Sequence, residues 1–488
     1  MRAVYPGKCY NIGRLEVTWN MSIIGACMVP HPPIILPEIG RGEEKKIAET
    51  TASYEKAAEL VAKLKPDTLV IASPHTRMYA DWFYIGGGSE GYGSFSQFRA
   101  GHVRIHADYD TEMILALSDA AGREDFSAGP VEDPDIPLDH GVMIPLYFIQ
   151  KKYTDFKIVR IGISGLPLTD HYRLGMMIRD CAEKLGRRMF FVASGDLSHK
   201  LRKDGPYGFI EEGPVYDTRI MDVMGSGDFK KLFAFDSAFC EKAAECGHRS
   251  FVMMAGAFDR TAVDIQRLSH QDIFGVGYGI CLYRTAGPDP ERNFLDQWAE
   301  EESVRLAQRK AKEDPYVQLA RLSVETYIRR GRPLTLKEAK KQLDLPGEML
   351  STAAGAFVSL HKEDQLRGCI GTISACCSCI AEEIIQNAVS ACSRDYRFHK
   401  VTAGELPLLE YSVDILGEAE DIEGPDQLDV KRYGVIVSCG RKRGLLLPDL
   451  EGVDTVGEQI RIASTKAGIS EEYDRNIRLQ RFEVIRHT

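Results

Sequence analysis

Three histidines stand just past short apolar runs. His31 lies in Pro30-His31-Pro32-Pro33 after Ile23–Val29, and His75 in Ser73-Pro74-His75 after Thr68–Ala72. His199 closes Ser194-Gly195-Asp196-Leu197-Ser198-His199 after Met189–Ala193. Neutral imidazole is a common metal ligand and carries protons near neutral pH. Prolines beside His31 and His75 stiffen their loops. If the three runs are parallel neighbours, the loops at their carboxyl ends line one crevice. The remaining ligand is expected to be acidic, and Glu245 in Ala243-Ala244-Glu245-Cys246-Gly247-His248-Arg249 is the candidate. Two imidazoles and a carboxylate form the facial set of non-haem Fe(II), with positions left for substrate and dioxygen. A histidine outside that set is suited to proton transfer. His140, in Pro137-Leu138-Asp139-His140-Gly141, is a fourth candidate, with Asp139 placed to orient its loop.

The elements that must position these residues follow from periodicity. Strands are expected at Ile23–Val29, Thr68–Ala72, Lys157–Ile163, Met189–Ala193 and Phe274–Leu282. Helices are expected at Glu43–Leu64, Tyr109–Ala120, His171–Leu185 and Phe251–Asp259. Such alternation predicts an α/β domain with a central mixed sheet flanked by helices. Residues 1–20 lack any clean period and read as an extension, with the first domain over 21–286. Two prolines and a charge-rich helical run mark 287–315 as linker and helix. Residues 316–488 form a second, α+β domain with strands such as Ala356–Leu360 and Leu409–Leu416.

A chain of 488 residues is too long for one ordinary core. The formal charge of -10 argues against a nucleic-acid or anionic-membrane binder. No apolar run approaches the roughly 20 residues of a spanning helix, and no export signal is visible, so a cytoplasmic protein with reduced thiols is expected. Cys376, Cys377 and Cys379 lack the spacing of a structural zinc site.

Residues 21–284 resemble the class III extradiol dioxygenase superfamily of the protocatechuate dioxygenase β-subunit type, which also contains the MEMO proteins. The matching pieces are Val-Pro-His31-Pro-Pro, Ala-Ser-Pro-His75, Leu-Asp-His140-Gly-Val-Met-Ile-Pro-Leu and Ala-Ser-Gly-Asp-Leu-Ser-His199. The resemblance implies one Fe(II) on His31 and His75, His199 as acid/base and His140 near the substrate oxygens. Ring-cleaving members supply a Glu as third ligand and MEMO-type members a Cys. Here Glu245 and Cys246 adjoin, and Glu245 is favoured because a hard oxygen ligand suits oxygen-activating iron. His248 and Arg249 then fall to substrate binding.

Residues 316–483 resemble the AMMECR domain family through Leu366-Arg367-Gly368-Cys369-Ile370-Gly371-Thr372, Ser393-Arg394-Asp395-Tyr396-Arg397-Phe398 and Gly444-Leu445-Leu446-Leu447-Pro448. Gly368 and Gly371 permit close backbone approach around Cys369, and Arg367 suits a carboxylate or phosphate. A fusion of the two domains resembles the AmmeMemoRadiSam system family, whose members accompany a radical-SAM enzyme.

The reading is therefore a non-haem Fe(II) dioxygenase acting on a catechol- or aminophenol-like ring. The alternatives are a metal-binding or redox accessory protein for a radical-SAM partner and a zinc hydrolase based on His199. A homo-oligomer is left open. Gly275-Val-Gly-Tyr-Gly279 lacks the helix of a dinucleotide site and reads as close strand packing. Trp82, Phe83, Tyr84 and Phe95 to Phe98 read as core, with one or two able to wall an aromatic pocket. Glu382 and Glu383 read as a solvated helix face.

Overall fold

The computed structural model describes residues 21–131, 136–363, 365–450, 452–470 and 476–488. The proposed extension 1–20 lies outside the described residues. The chain divides between Ala299 and Glu300 into two compact units.

Among the described residues, ten strands build the first unit: β1 Ile23–Val29, β2 Thr68–Ser73, β3 Phe83–Gly86, β4 Glu90–Phe95, β5 Ala100–Asp108, β6 Ala128–Val131, β7 Lys157–Gly162, β8 Met189–Ser194, β9 Thr261–Gln271 and β10 Tyr278–Pro288. Eight form one mixed sheet in the order β6-β3-β7-β2-β8-β1-β10-β9, and β4 and β5 form a separate hairpin. The central β2 and β8 are buried at every residue, which is why they read as unbroken apolar runs. Strands β1, β8 and β2 are parallel, with Val29 opposite Ser194 and Ala72 opposite Ala193. Their carboxyl ends are therefore level, and the three histidine loops leave from one edge.

Two close approaches set the layer behind those loops. Helix Leu168–Leu185 crosses His248–Ala257 so tightly that a Cβ on Gly175 would fall 2.0 Å from the Met253 carbonyl oxygen. A Cβ on Gly195 would fall 2.0 Å from the Gly247 Cα, so the loop after β8 is pressed against the turn that carries Cys246. The expected strand Phe274–Leu282 begins instead at Tyr278. Gly275, at φ 79°, closes a turn onto the Asp272 carbonyl, and Phe274 to Gly277 remain a loop. Close packing of the glycine motif itself holds, since a Cβ on Gly277 would meet Asp217 Oδ2 at 2.1 Å.

Within 287–315 the chain forms helix Phe294–Lys310. Phe294 and Trp298 pack in the core of the first unit. In the second unit, Arg305 and Arg309 pair with the buried Glu410.

The second unit holds β11 Ala356–Lys362, β12 Gln365–Gly371, β13 Glu410–Leu416, β14 Glu420–Ile422, β15 Tyr433–Cys439, β16 Lys442–Leu446 and β17 Arg478–His487. They form an antiparallel sheet in the order β12-β11-β13-β17-β15-β16, with β14 on β17. Helices Pro315–Arg330 and Ile380–Ser393 supply apolar faces to its main core. Glu383, expected in solvent, is fully buried. Its carboxylate accepts from Thr372 Oγ1 at 2.6 Å and from the backbone N–H groups of Cys376 and Cys377 at 2.9 and 2.8 Å. Among the described residues no helix is long and apolar enough to cross a membrane.

Candidate metal centre

Three donor atoms meet at the level strand ends. His31 Nε2 lies 2.9 Å from His75 Nε2 and 3.6 Å from Cys246 Sγ. Bond lengths of about 2.0–2.3 Å from nitrogen or sulfur to one ion place donors roughly 3–4 Å apart, so these residues fit a metal. His31 is buried, and its Nδ1 sits 2.9 Å from Ser194 Oγ, which leaves Nε2 as the ligand atom. Its backbone N–H donates to Asp196 Oδ1 at 2.7 Å. Burial, then the charge of His75, hold the His31 imidazole well below its ordinary pKa, and burial lowers His75 too. Both are neutral and ready to bind. Burial, then the negative charges of Asp196 and Glu245, push the Cys246 thiol up. Ligation by Cys246 must therefore release a proton.

Glu245 does not join this group. Ala244 takes a left-handed conformation, φ 52°, and the turn sends the two following side chains opposite ways. The Glu245 carboxylate accepts from the His248 backbone N–H at 2.6 Å and faces Tyr216 Oη at 3.4 Å. The preference for Glu245 over Cys246 is thus corrected: the acid serves the first turn of helix His248–Ala257. His248 is buried away from the cavity. Its Nε2 donates to the Leu232 carbonyl at 2.9 Å, and its Nδ1 faces Tyr216 Oη. Arg249, on the same turn, is not among the lining residues either. Neither meets the expectation of substrate contact.

His75 and His140 are held by one hub. Asp139 accepts from Ser73 Oγ and Thr76 Oγ1, both at 2.6 Å, and caps helix His140–Ile149 through the Val142 N–H. Arg160, buried in the middle of β7, donates to Asp139 Oδ2 at 3.1 Å and to Thr76 Oγ1 at 3.1 Å. Burial would raise the Asp139 carboxyl, but Arg160 and the two hydroxyls outweigh it and hold it low. The His140 ring lies 4.1 Å from that of His75 and 5.3 Å from that of His31, centroid to centroid. Burial, then the neighbouring His75 and His31, push its pKa down to about 3. Sequence reasoning missed Arg160, although an arginine inside Lys-Ile-Val-Arg-Ile-Gly was a visible signal.

His31 and His75 open into a cavity of about 750 Å³, lined also by His140, His199, Asp196, Phe98, Tyr207, Phe274 and Tyr278. His199 Nδ1 is hydrogen-bonded to the Ala244 carbonyl. A carbonyl only accepts, so Nδ1 carries a proton, and Nε2 is the nitrogen left outside that bond.

With this geometry in place, the comparisons are decisive. A family described as the catalytic LigB subunit of aromatic ring-opening dioxygenase matches residues 25–281, and one described as AMMECR1 matches 317–487. The chain belongs to the LigB family. A protein of Clostridium acetobutylicum is 40% identical over 476 residues, 96% of this chain and 99% of its own length. The 2-aminophenol 1,6-dioxygenase beta subunit of Pseudomonas sp is 25% identical over 292 residues, 54% of this chain and 93% of that one. A protein of Thermotoga maritima is 47% identical over 176 residues, 36% of this chain and 98% of its own length. The expected pairing of a dioxygenase-like domain with an AMMECR domain is thereby shown.

The AMMECR1 region arranges its signature differently. Arg367, expected to be open to a carboxylate or phosphate, is bidentate with Glu405 at 2.7 and 3.2 Å and donates to the His399 carbonyl. The Cys369 N–H donates to Asp395 Oδ2 at 2.9 Å, and Arg397 bridges Asp395 and the Cys369 carbonyl. Hydrogen bonding from Arg397 pushes Asp395 down to about 2, while burial raises the Cys369 thiol. A Cβ on Gly368 would fall 2.4 Å from the Ala391 carbonyl oxygen, and one on Gly371 inside the Phe357 ring contact, at 2.2 Å. These glycines seat the strand against helix Ile380–Ser393 and Phe357.

Proposed function

We propose that the LigB region is an Fe(II)-dependent oxygenase acting on an aromatic ring with vicinal oxygen or nitrogen donors. The observation that supports it is the approach of His31 Nε2, His75 Nε2 and Cys246 Sγ to one another, with both histidines and two further imidazoles lining an open cavity. When bound, Fe(II) would supply the template and electrons that bring the substrate's donors together with dioxygen. His199 takes a proton from a substrate hydroxyl at Nε2 while Ala244 holds the opposite face of the ring. His140, at the start of a capped helix, offers a hydrogen bond to negative charge developing on a substrate oxygen. Phe98 packs against His140 at 5.5 Å between ring centroids and shields it from solvent. Asp196 fixes the His31 loop through the backbone.

The two-imidazole, one-thiolate set is also one that zinc accepts, which favours a second reading as a hydrolase with His199 as base. Metal analysis of anaerobically purified wild type, His31→Ala, Cys246→Ala and Glu245→Gln decides between them, together with oxygen uptake on catechol and 2-aminophenol. Near-stoichiometric iron in wild type and Glu245→Gln, lost in the other two, with diol-dependent oxygen uptake, is the expected result. Stoichiometric zinc without oxygen uptake moves the assignment to hydrolysis. Metal-free wild type overturns both and leaves an accessory role beside a radical-SAM partner.

A further inference from the structure

The cavity is far larger than one ring needs. A roughly 150 Å³ apolar cavity holds a benzene molecule, whereas this one has about 750 Å³. Its walls are of two kinds. One part is polar: His31, His75, His140, His199 and Asp196 line it, with Cys246 Sγ 3.6 Å from His31 Nε2. Aromatic and aliphatic side chains begin directly beside the imidazoles: Phe98 lies against His140, and Tyr207 lies edge-on to His199 at 5.3 Å. The same wall includes Val276, which is buried, half-buried Phe274, and Ile273, which is 42% exposed. The two loops that carry this wall are fastened together. The Leu201 N–H donates to the Gly275 carbonyl at 3.2 Å, and Gly205 and Gly275 pack backbone to backbone.

The charges that line the cavity are matched. Lys46 pairs with Glu43 at 2.7 Å and Arg202 with Asp204 at 3.2 Å, and all four line it. Asp196 adds a further acid. Among the described lining residues no cation is left over for a substrate carboxylate.

We infer that the substrate is not a single-ring acid but a diol- or aminophenol-bearing ring with an uncharged, apolar extension about one further ring in size, seated between Phe98, Tyr207, Ile273 and Phe274. This rests on the metal-centre reading above for the orientation of the donor-bearing ring. The apolar wall acts on the extension alone, by burial of its surface.

Calorimetric titration of the anaerobic, Fe(II)-loaded full chain tests it with catechol, 4-phenylcatechol and 3,4-dihydroxybenzoate. The expected order is 4-phenylcatechol at least tenfold tighter than catechol, with 3,4-dihydroxybenzoate the weakest. Phe274→Ala, and the exposed Tyr207→Ala should the first fail to fold, each bring the phenyl-to-parent ratio several-fold closer to one. Equal affinity for catechol and 4-phenylcatechol, or tightest binding of the carboxylate, overturns the inference. The metal-free His31→Ala chain separates it from the metal reading by titration with phenol and 4-phenylphenol. A preserved phenyl preference there supports the apolar wall even if loaded wild type gains nothing from the second hydroxyl, a result that counts against the metal reading alone. Loss of the preference there overturns the inference.

Discussion

The two signature-bearing regions of this chain treat their polar groups in opposite ways. At the strand ends of the LigB region, His31, His75 and Cys246 turn their donor atoms toward one another, with a cavity beyond. In the AMMECR1 region, Arg367, Asp395 and Arg397 are engaged by Glu405, the Cys369 backbone and each other. Both motifs stand out equally in the sequence. One leaves ligand atoms facing a shared space, and the other ties the turn after helix Ile380–Ser393 to strand β12. A conspicuous motif thus marks constraint, and only the partners reveal whether the constraint is chemical or mechanical.

The strongest way to break the contrast is to attack the hub that serves the cavity. Arg160→Met leaves the Asp139 carboxylate buried without its guanidinium, a loss of about 3–5 kcal/mol. Hydrogen exchange should rise in peptides of β2 and β7 and stay unchanged in β11 and β13. Equal exchange in both units would show that the hub is not what holds His75 and His140.

Arg367→Ala tests the other side. Removing a part-buried bidentate partner of Glu405 should cost about 1.5–3 kcal/mol in the second unit, read as faster exchange in β12, with metal content untouched. Unchanged exchange would mean that this arginine is held in reserve for a ligand after all.

Acid separates the units more gently. Burial pushes His171, packed behind the sheet, down to about 3. The unfolded chain protonates this histidine near pH 6.5 while the folded one stays neutral, so stability of the first unit falls as pH drops below about 6.5. The loss from this group reaches about 2 kcal/mol by pH 5. Asp395 is shifted the other way from solvent, to about 2. Its contribution to the second unit is present above about pH 4 and is lost only as pH falls on toward 2. Corrected for the intrinsic slowing of amide exchange in acid, protection measured between pH 6.5 and 4.5 should therefore fall more in the first unit than in the second.

The smallest effect is expected at Cys369. Its sulfur accepts from Ser359 Oγ at 3.2 Å, and burial keeps the thiol protonated. Cys369→Ser should change stability by less than about 1 kcal/mol. Iodoacetamide at pH 7.5 should label the exposed Cys376 well before Cys369. Rapid labelling of Cys369 would reverse the assignment of this motif.

These contrasts also explain what was legible in the sequence. The histidines at strand ends were visible because central parallel strands are continuous apolar runs, and whatever follows them lines the crevice. Asp139 was readable as an orienting residue because it adjoins His140, whereas the helix that it caps, His140–Ile149, was not expected. The exchange of Glu245 for Cys246 was not readable. It turns on the left-handed backbone of Ala244, a conformation that alanine rarely announces. His248 and Arg249 were misplaced for the same reason: the partner that claims His248 is a carbonyl 16 residues upstream in sequence, in the turn of Phe229–Ala234. Strand β9 escaped notice because its exposure does not alternate cleanly. Glu383 read as solvated because its partners are backbone N–H groups, which carry no sequence signature.

The bond from His199 Nδ1 to the Ala244 carbonyl has one more consequence. A carbonyl oxygen can neither pass a proton on nor supply one, so nothing leaves this imidazole by its rear face. Any proton that the ring gains or loses therefore moves at Nε2.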